Sequence, residues 1–143
     1  RKRRPVLKIA DGLEEQLKKL HEYYDIGIAG MYGAELLDLL KSHGLLKYFT
    51  HRFTQDEFEI NKPDPRYLEQ ICDYCGVDPT DAIMVGDRID MDIIPAKMLG
   101  MRTIRIMTGL HKYQVHRLPG EIPDIMLGSI KQLEKAVAMI SNF

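Results

Sequence analysis

Two segments carry residues suited to chemistry: Asn61-Lys62-Pro63-Asp64-Pro65 and, further along, Val85-Gly86-Asp87-Arg88-Ile89-Asp90-Met91-Asp92-Ile93. Two prolines restrict the backbone on either side of Asp64. A lysine on such a stiffened loop is a positioned point charge for a phosphate. Asp87, Asp90 and Asp92 fall within about one helical turn, where three carboxylates repel one another; a bound magnesium ion, which prefers hard oxygen ligands, is the usual compensation. The bland counterparts are a surface lysine and acids that favour a helix N-terminus. Gly86 tips the balance towards a ligand site, because glycine lets the backbone approach a bound group closely just before the acid.

The elements around these segments alternate between helical and strand patterns, which predicts a parallel sheet covered by helices. Leu13, Leu17 and Leu20 recur at helical spacing before the apolar run Ile26-Gly27-Ile28-Ala29-Gly30. A second amphipathic helix carries Leu36, Leu37, Leu39 and Leu40 and stops at Gly44. Phe49 to Thr54 reads as a short strand. Pro65 suits the first turn of a third helix, with Leu68, Ile71, Cys72 and Tyr74 supplying much of its buried side and Gly76 its stop. Asp81 to Asp87 is the strongest strand signal, a continuous apolar run of the kind found in buried parallel strands. That places Asp87 at a strand's carboxyl end, where open α/β sheets bind ligands. A helix over 91–99 stopped by Gly100, a strand over 101–107, a short edge strand at 125–127 and a closing helix over 130–140 complete the chain. The segment 108–123 is read as a loop, in which Tyr113 and His116 could touch a substrate but are read first as solvated. Gly30 and Met31 join a strand to a helix, so their amides could cradle an anion.

Composition narrows the partners. With 143 residues, 45% hydrophobic, the chain fits a single core-bearing domain, and a formal net charge of -1 gives no general attraction to nucleic acid or anionic membrane. The basic run Arg1-Lys2-Arg3-Arg4 reads as a solvated end or linker. No apolar stretch approaches the roughly 20 residues of a membrane span. No signal-peptide pattern opens the sequence, which favours a cytoplasmic setting. Cys72 and Cys75 face no second Cys or His pair at zinc spacing and are read as helix-face residues.

The strand with Gly27-Ile28-Ala29-Gly30, then Leu45-Leu46-Lys47-Tyr48-Phe49, the Lys62 loop, and Val85-Gly86-Asp87 with Asp92 together resemble the haloacid dehalogenase superfamily, from about residue 11 to the C-terminus. A lysine in a Lys-Pro-Asp-Pro loop followed by Gly-Asp-x-x-x-x-Asp after a strand is seldom met by chance. The resemblance implies a three-layer, Rossmann-like α/β core with a mostly parallel sheet and helices on both faces. It also implies magnesium-dependent hydrolysis of a small phosphorylated metabolite, in which an aspartate attacks phosphorus and the aspartyl-phosphate is then hydrolysed. Carried over by position, Lys62 would hold the phosphoryl oxygens, Asp87 would bind magnesium, Asp92 would assist directly or through water, and the amides of Gly30 and Met31 would hold phosphate. Dehalogenation is disfavoured because it does not need the magnesium acids.

Two departures from the family pattern change the expectation. No Asp-x-Asp-Gly-Thr, the nucleophile segment, occurs in the chain, and Gly30 stands where the family places a Ser or Thr. Either the nucleophile strand and cap precede Arg1, with residues 1–11 returning from cap to core and 12–143 forming the core, or residues 5–12 are a degenerate first segment. The second reading puts Ile9 at the nucleophile position and Asp11 at the acid/base position. The nucleophile strand is central to the family's sheet, so its absence leaves a slot that residues 6–10 could fill, or a second copy in a strand-exchanging homodimer. The chain alone is therefore expected to show little or no phosphatase activity. The alternative is a non-catalytic phosphate-binding or interaction module on the same fold. A response-regulator receiver fails on sequence order, since its acidic pair should follow the first strand.

Overall fold

The computed structural model describes residues 10–29, 34–53, 59–60, 62–108 and 112–141. Leucines at helical spacing give α1 (Leu13–His21) one apolar stripe, while Glu14 with Lys18 and Glu15 with Lys19 pair on its solvated side. Gly12, at φ 84°, turns the chain into this helix. The remaining elements are β1 (Gly27–Ala29), α2 (Ala34–Ser42), β2 (His51–Phe53), α3 (Pro65–Cys75), β3 (Ile83–Gly86), α4 (Ile94–Met98), β4 (Arg102–Ile106), β5 (Ile125–Leu127) and α5 (Leu133–Ser141). No helix among the described residues is long and apolar enough to cross a membrane.

The strand pairs are all parallel, as the helix and strand alternation predicts. β1 pairs with β2, with Gly27 opposite His51; β3 pairs with β4, with Gly86 opposite Arg105; and β4 pairs with β5, with Ile104 opposite Ile125. These are two sheets, ordered β1-β2 and β3-β4-β5, and no strand among the described residues joins β1 to β3. Of residues 5–12, read as a degenerate first segment, 5–9 lie outside the described residues.

Alternation along β3 sorts the layers. Ile83 and Val85 pack on a core built from Ile104, Leu127 and the apolar stripe of α5, whereas Ala82 and Met84 pack on the opposite core of Tyr67, Leu68, Cys72, Ala96 and Met101 from α3, α4 and β4's approach. A third core, under α1 and α2, contains Leu17, Leu40, Leu45, Tyr48 and Phe49. α1 serves two of these at once, because Leu20 enters the α5 core while Leu17 enters the α2 core, and Ile26 packs against both. Its third tie is polar: the buried Gln16 accepts the Glu134 N–H of α5 on Oε1 at 2.7 Å. A first-turn helix amide has no partner within its own helix, so this side chain supplies the missing acceptor.

Three expectations need correction. β3 was expected to be buried, yet all four of its residues are half-buried, because among the described residues it has a strand neighbour on one side only. The fully buried strand is β4, with Thr103, Ile104 and Arg105 at 1% exposure or less. The helix expected over 91–99 begins instead as a π-helical turn, Ile89–Ile93, before the short α4. Pro95 has no N–H to continue a regular ladder there. Tyr74 is 69% exposed, its ring edge-on to Phe53 of β2 at 5.4 Å; the buried aromatic of α3 is Tyr67, two turns earlier.

Replacing Gln16 by Leu leaves the Glu134 amide without its acceptor and should lower the unfolding free energy by about 1–3 kcal/mol. Urea denaturation should show this as a lower midpoint with an unchanged slope, whereas Lys18→Ala on the solvated face should stay within about 0.5 kcal/mol.

Candidate active site at the end of β3

The lysine loop is held by the helix that follows it. Asp64, extended at ψ 123° as a residue before proline must be, accepts the Arg66 N–H at 2.9 Å and caps α3, while Pro65 occupies its first turn. The Arg66 guanidinium beside Asp64 holds that carboxyl below its ordinary value. Tyr67 and Leu68, the next residues, are fixed in the core against Ala96 of α4. Lys62, just before this anchor, precedes Pro63 through a cis peptide bond.

Lys62 and Asp92 meet as a buried ion pair, Nζ to Oδ1, with side chains only 9% and 8% exposed. The other Asp92 oxygen, Oδ2, accepts the Arg88 N–H at 3.1 Å, and the Asp92 N–H returns to the Arg88 carbonyl at 3.1 Å. Asp92 therefore closes the turn upon itself while reaching across to the lysine loop. This fold-back explains Gly86: a Cβ there would stand 2.6 Å from the Asp92 Cβ, far inside contact distance. The glycine makes room for an acid of its own turn, which is a more specific reason than the close approach of a ligand.

Asp90 also has its compensation within the protein. Arg88 grips it through two bonds, Nε to Oδ1 at 3.1 Å and Nη2 to Oδ2 at 2.7 Å, and Gln114 donates to Oδ1 at 3.2 Å. The Arg88 guanidinium first, and Gln114 after the opposing effect of burial, bring the Asp90 carboxyl down to about 2. The cluster of three repelling carboxylates is thus reduced to one. Asp87, at the carboxyl end of β3, has no side-chain hydrogen bond or ion pair among the described residues; its backbone carbonyl accepts from Nε of the buried Arg105 at 3.4 Å.

These contacts bring Lys62 and Asp92 together, with Asp87 one residue beyond β3. Gly30 and Met31, assigned to phosphate, lie outside the described residues. Asp11 is exposed in the turn before α1 and lines a shallow depression with Gly12, Glu14, Glu15, Lys18, His43 and Leu45, a set that includes neither Lys62 nor Asp87 nor Asp92. Among the described residues no three His, Cys, Asp or Glu side chains converge as a metal-holding group. Cys72 and Cys75 are free thiols, and burial pushes Cys72 up to about 11, so it stays protonated near neutrality. Sequence reading missed Gln114 and Arg105: their partners lie 18 to 25 residues away, and no local spacing signals them.

Gly86→Ala should force Asp92 off the strand end and cost about 1–3 kcal/mol, the usual range for overpacking. Thermal or urea unfolding should register that loss, and Gly120→Ala, where an added Cβ meets nothing within 4 Å, should leave the midpoint unchanged.

The fold is shared with known proteins. The glyceraldehyde 3-phosphate phosphatase of Methanopyrus kandleri is 31% identical over 99 residues, 69% of this chain and 42% of that protein. A phosphatase structure from Thermococcus onnurineus superposes with a TM-score of 0.75 at 26% identity, over 91% of this chain and 58% of its own. The 2-haloacid dehalogenase of Pseudomonas syringae pv. Tomato gives 0.74 at 26% identity, over 93% and 54%. The chain thus matches about two fifths of the first relative's length and rather more than half of each structure. The model of the haloacid dehalogenase-like hydrolases matches residues 1–106, and the chain belongs to that family.

Proposed function

We propose that this chain carries the magnesium-holding and phosphate-holding part of a site that hydrolyses a small phosphomonoester. The observation that carries the reading is the inequality among the acids: Asp92 and Asp90 are neutralised by Lys62 and Arg88, while Asp87, at the strand's carboxyl end, has no side-chain partner among the described residues. A lone hard-oxygen carboxylate is what magnesium uses, since it binds through one or two carboxylates and keeps several waters. Asp87 fits as such a ligand. Asp92, with both oxygens engaged, serves the ion through Lys62 and through the shape of the turn. When bound, magnesium supplies positive charge to the phosphoryl oxygens.

Lys62 keeps a role of its own. An ammonium has three donors, and Asp92 takes one of them, so the others can meet phosphoryl oxygens while the buried pair prevents the lysine from swinging away. The attacking carboxylate would come from a strand lying between β1 and β3, whose facing edges are unpaired among the described residues. The phosphatases among the relatives favour phosphomonoester hydrolysis over dehalogenation, and so does an acid placed to bind a metal. A non-catalytic phosphate-binding module remains as a second reading, supported by Gly30 in place of a hydroxyl and by the missing Asp-x-Asp-Gly-Thr.

A direct assay tests the proposed roles. With p-nitrophenyl phosphate and magnesium, the 143-residue chain should show no turnover above buffer; turnover abolished by Asp87→Asn would contradict that expectation. Ile9→Asp supplies a carboxylate where the degenerate-segment reading puts the nucleophile, and magnesium-dependent turnover by this variant would select it. Magnesium with inorganic phosphate should raise the thermal midpoint of the chain, by linkage, and should do so less for Asp87→Asn and Lys62→Met. Equal shifts in all three proteins would overturn the assignment of these residues.

A further inference from the structure

Besides Lys62, the acid turn has a second support from a distant part of the chain. Gln114 lies in the irregular segment after β4, between Tyr113 and Val115, whose side chains are 81% and 70% exposed, yet its own amide is turned inward. Its Oε1 accepts the Ile89 N–H at 2.7 Å, and its Nε2 donates to Asp90 Oδ1 at 3.2 Å. A primary amide offers both a donor and an acceptor, and here both go to the same turn.

The position of the Ile89 N–H is what gives the contact its reach. That N–H and the Arg88 carbonyl belong to one planar peptide group. The carbonyl end accepts from Asp92 N at 3.1 Å and Ile93 N at 3.2 Å, which closes the π-helical turn. The N–H end is the turn's first amide and has no acceptor within it, so Gln114 supplies one. One peptide plane is thereby held from both sides, next to Asp87 on one flank and to the Asp92 fold-back on the other.

We propose that Gln114 is a positioning residue for the acid turn. By fixing the Arg88–Ile89 peptide, it sets the directions in which Asp87 and Asp92 present their carboxylates, and it makes the loop over 112–118 part of the site. The consequence for magnesium rests on the function proposed above; the geometric claim does not. Groups just outside a metal's own ligands change its affinity about 10- to 100-fold when removed.

The test uses amide exchange and magnesium addition, both followed by NMR on the 143-residue chain. Gln114→Met keeps the side-chain length and loses both polar contacts; Gln114→Glu keeps the acceptor for Ile89. In Gln114→Met the Asp92 and Ile93 amides should exchange roughly 5-fold faster, as loss of about one hydrogen bond's worth of order implies. The Asp87 shift should need on the order of 10-fold more magnesium. Gln114→Glu, whose ionised carboxylate repels Asp90, should restore slow exchange at Asp92 and Ile93 only when acid protonates it. Unchanged exchange in Gln114→Met, or faster exchange spread evenly through β3 and β4, overturns the proposal. If magnesium moves nothing at Asp87 in the unmodified chain, the function proposed above fails, and the exchange results alone decide the role of Gln114.

Discussion

The buried pair of Lys62 and Asp92 is the constraint on which the rest of the site depends. A charge removed from water must find a partner, and removing one member of a buried pair typically costs several kcal/mol because the other is left stranded. Lys62 belongs to the loop before α3 and Asp92 to the turn after β3, so satisfying this pair joins two segments 30 residues apart. Several features follow from it. Position 86 must lack a side chain, because Asp92 lies over it. Beside it the turn takes a π-helical form, with the Ile93 N–H reaching back to the Arg88 carbonyl. Asp87, one residue beyond the strand, is then the acid without a side-chain partner among the described residues.

The scaffold holding this arrangement is divided. Two parallel sheets stand without a common strand among the described residues, and α1 links them through Leu17, Leu20 and Gln16. A helix can do this because residues three and four apart share a face, which lets one short element serve two adjoining cores. The half-buried state of β3 reflects the same division. Its composition suits a central strand, but burial also depends on what lies alongside.

Much of this was legible in the sequence. Lys62, Asp87 and Asp92 stood out because the types and spacing of reactive groups are local properties, and the strands and helices followed from periodicity, prolines and glycines at their ends. Family resemblance gave the fold, which the comparisons bear out. What sequence could not show were effects that depend on partners brought together by folding. Asp90 reads as a third repelling acid until Arg88 and Gln114 are seen around it. Arg105 reads as an ordinary strand residue, yet it is buried at 1% exposure beside Asp87's carbonyl. Tyr74 and Tyr67 lie on nearly the same face of α3, and only the packing of its first two turns on α4 decides which ring is buried.

A double-mutant cycle between Lys62→Met and Asp92→Asn, measured by urea denaturation, tests the central claim most directly. If the pair organises the site, each single change strands a buried partner and the double variant loses less stability than the sum of the two, with a coupling of about 0.5–3 kcal/mol. Additive losses, equal to those of a cycle between Lys62→Met and the exposed Glu14→Gln, would contradict the account.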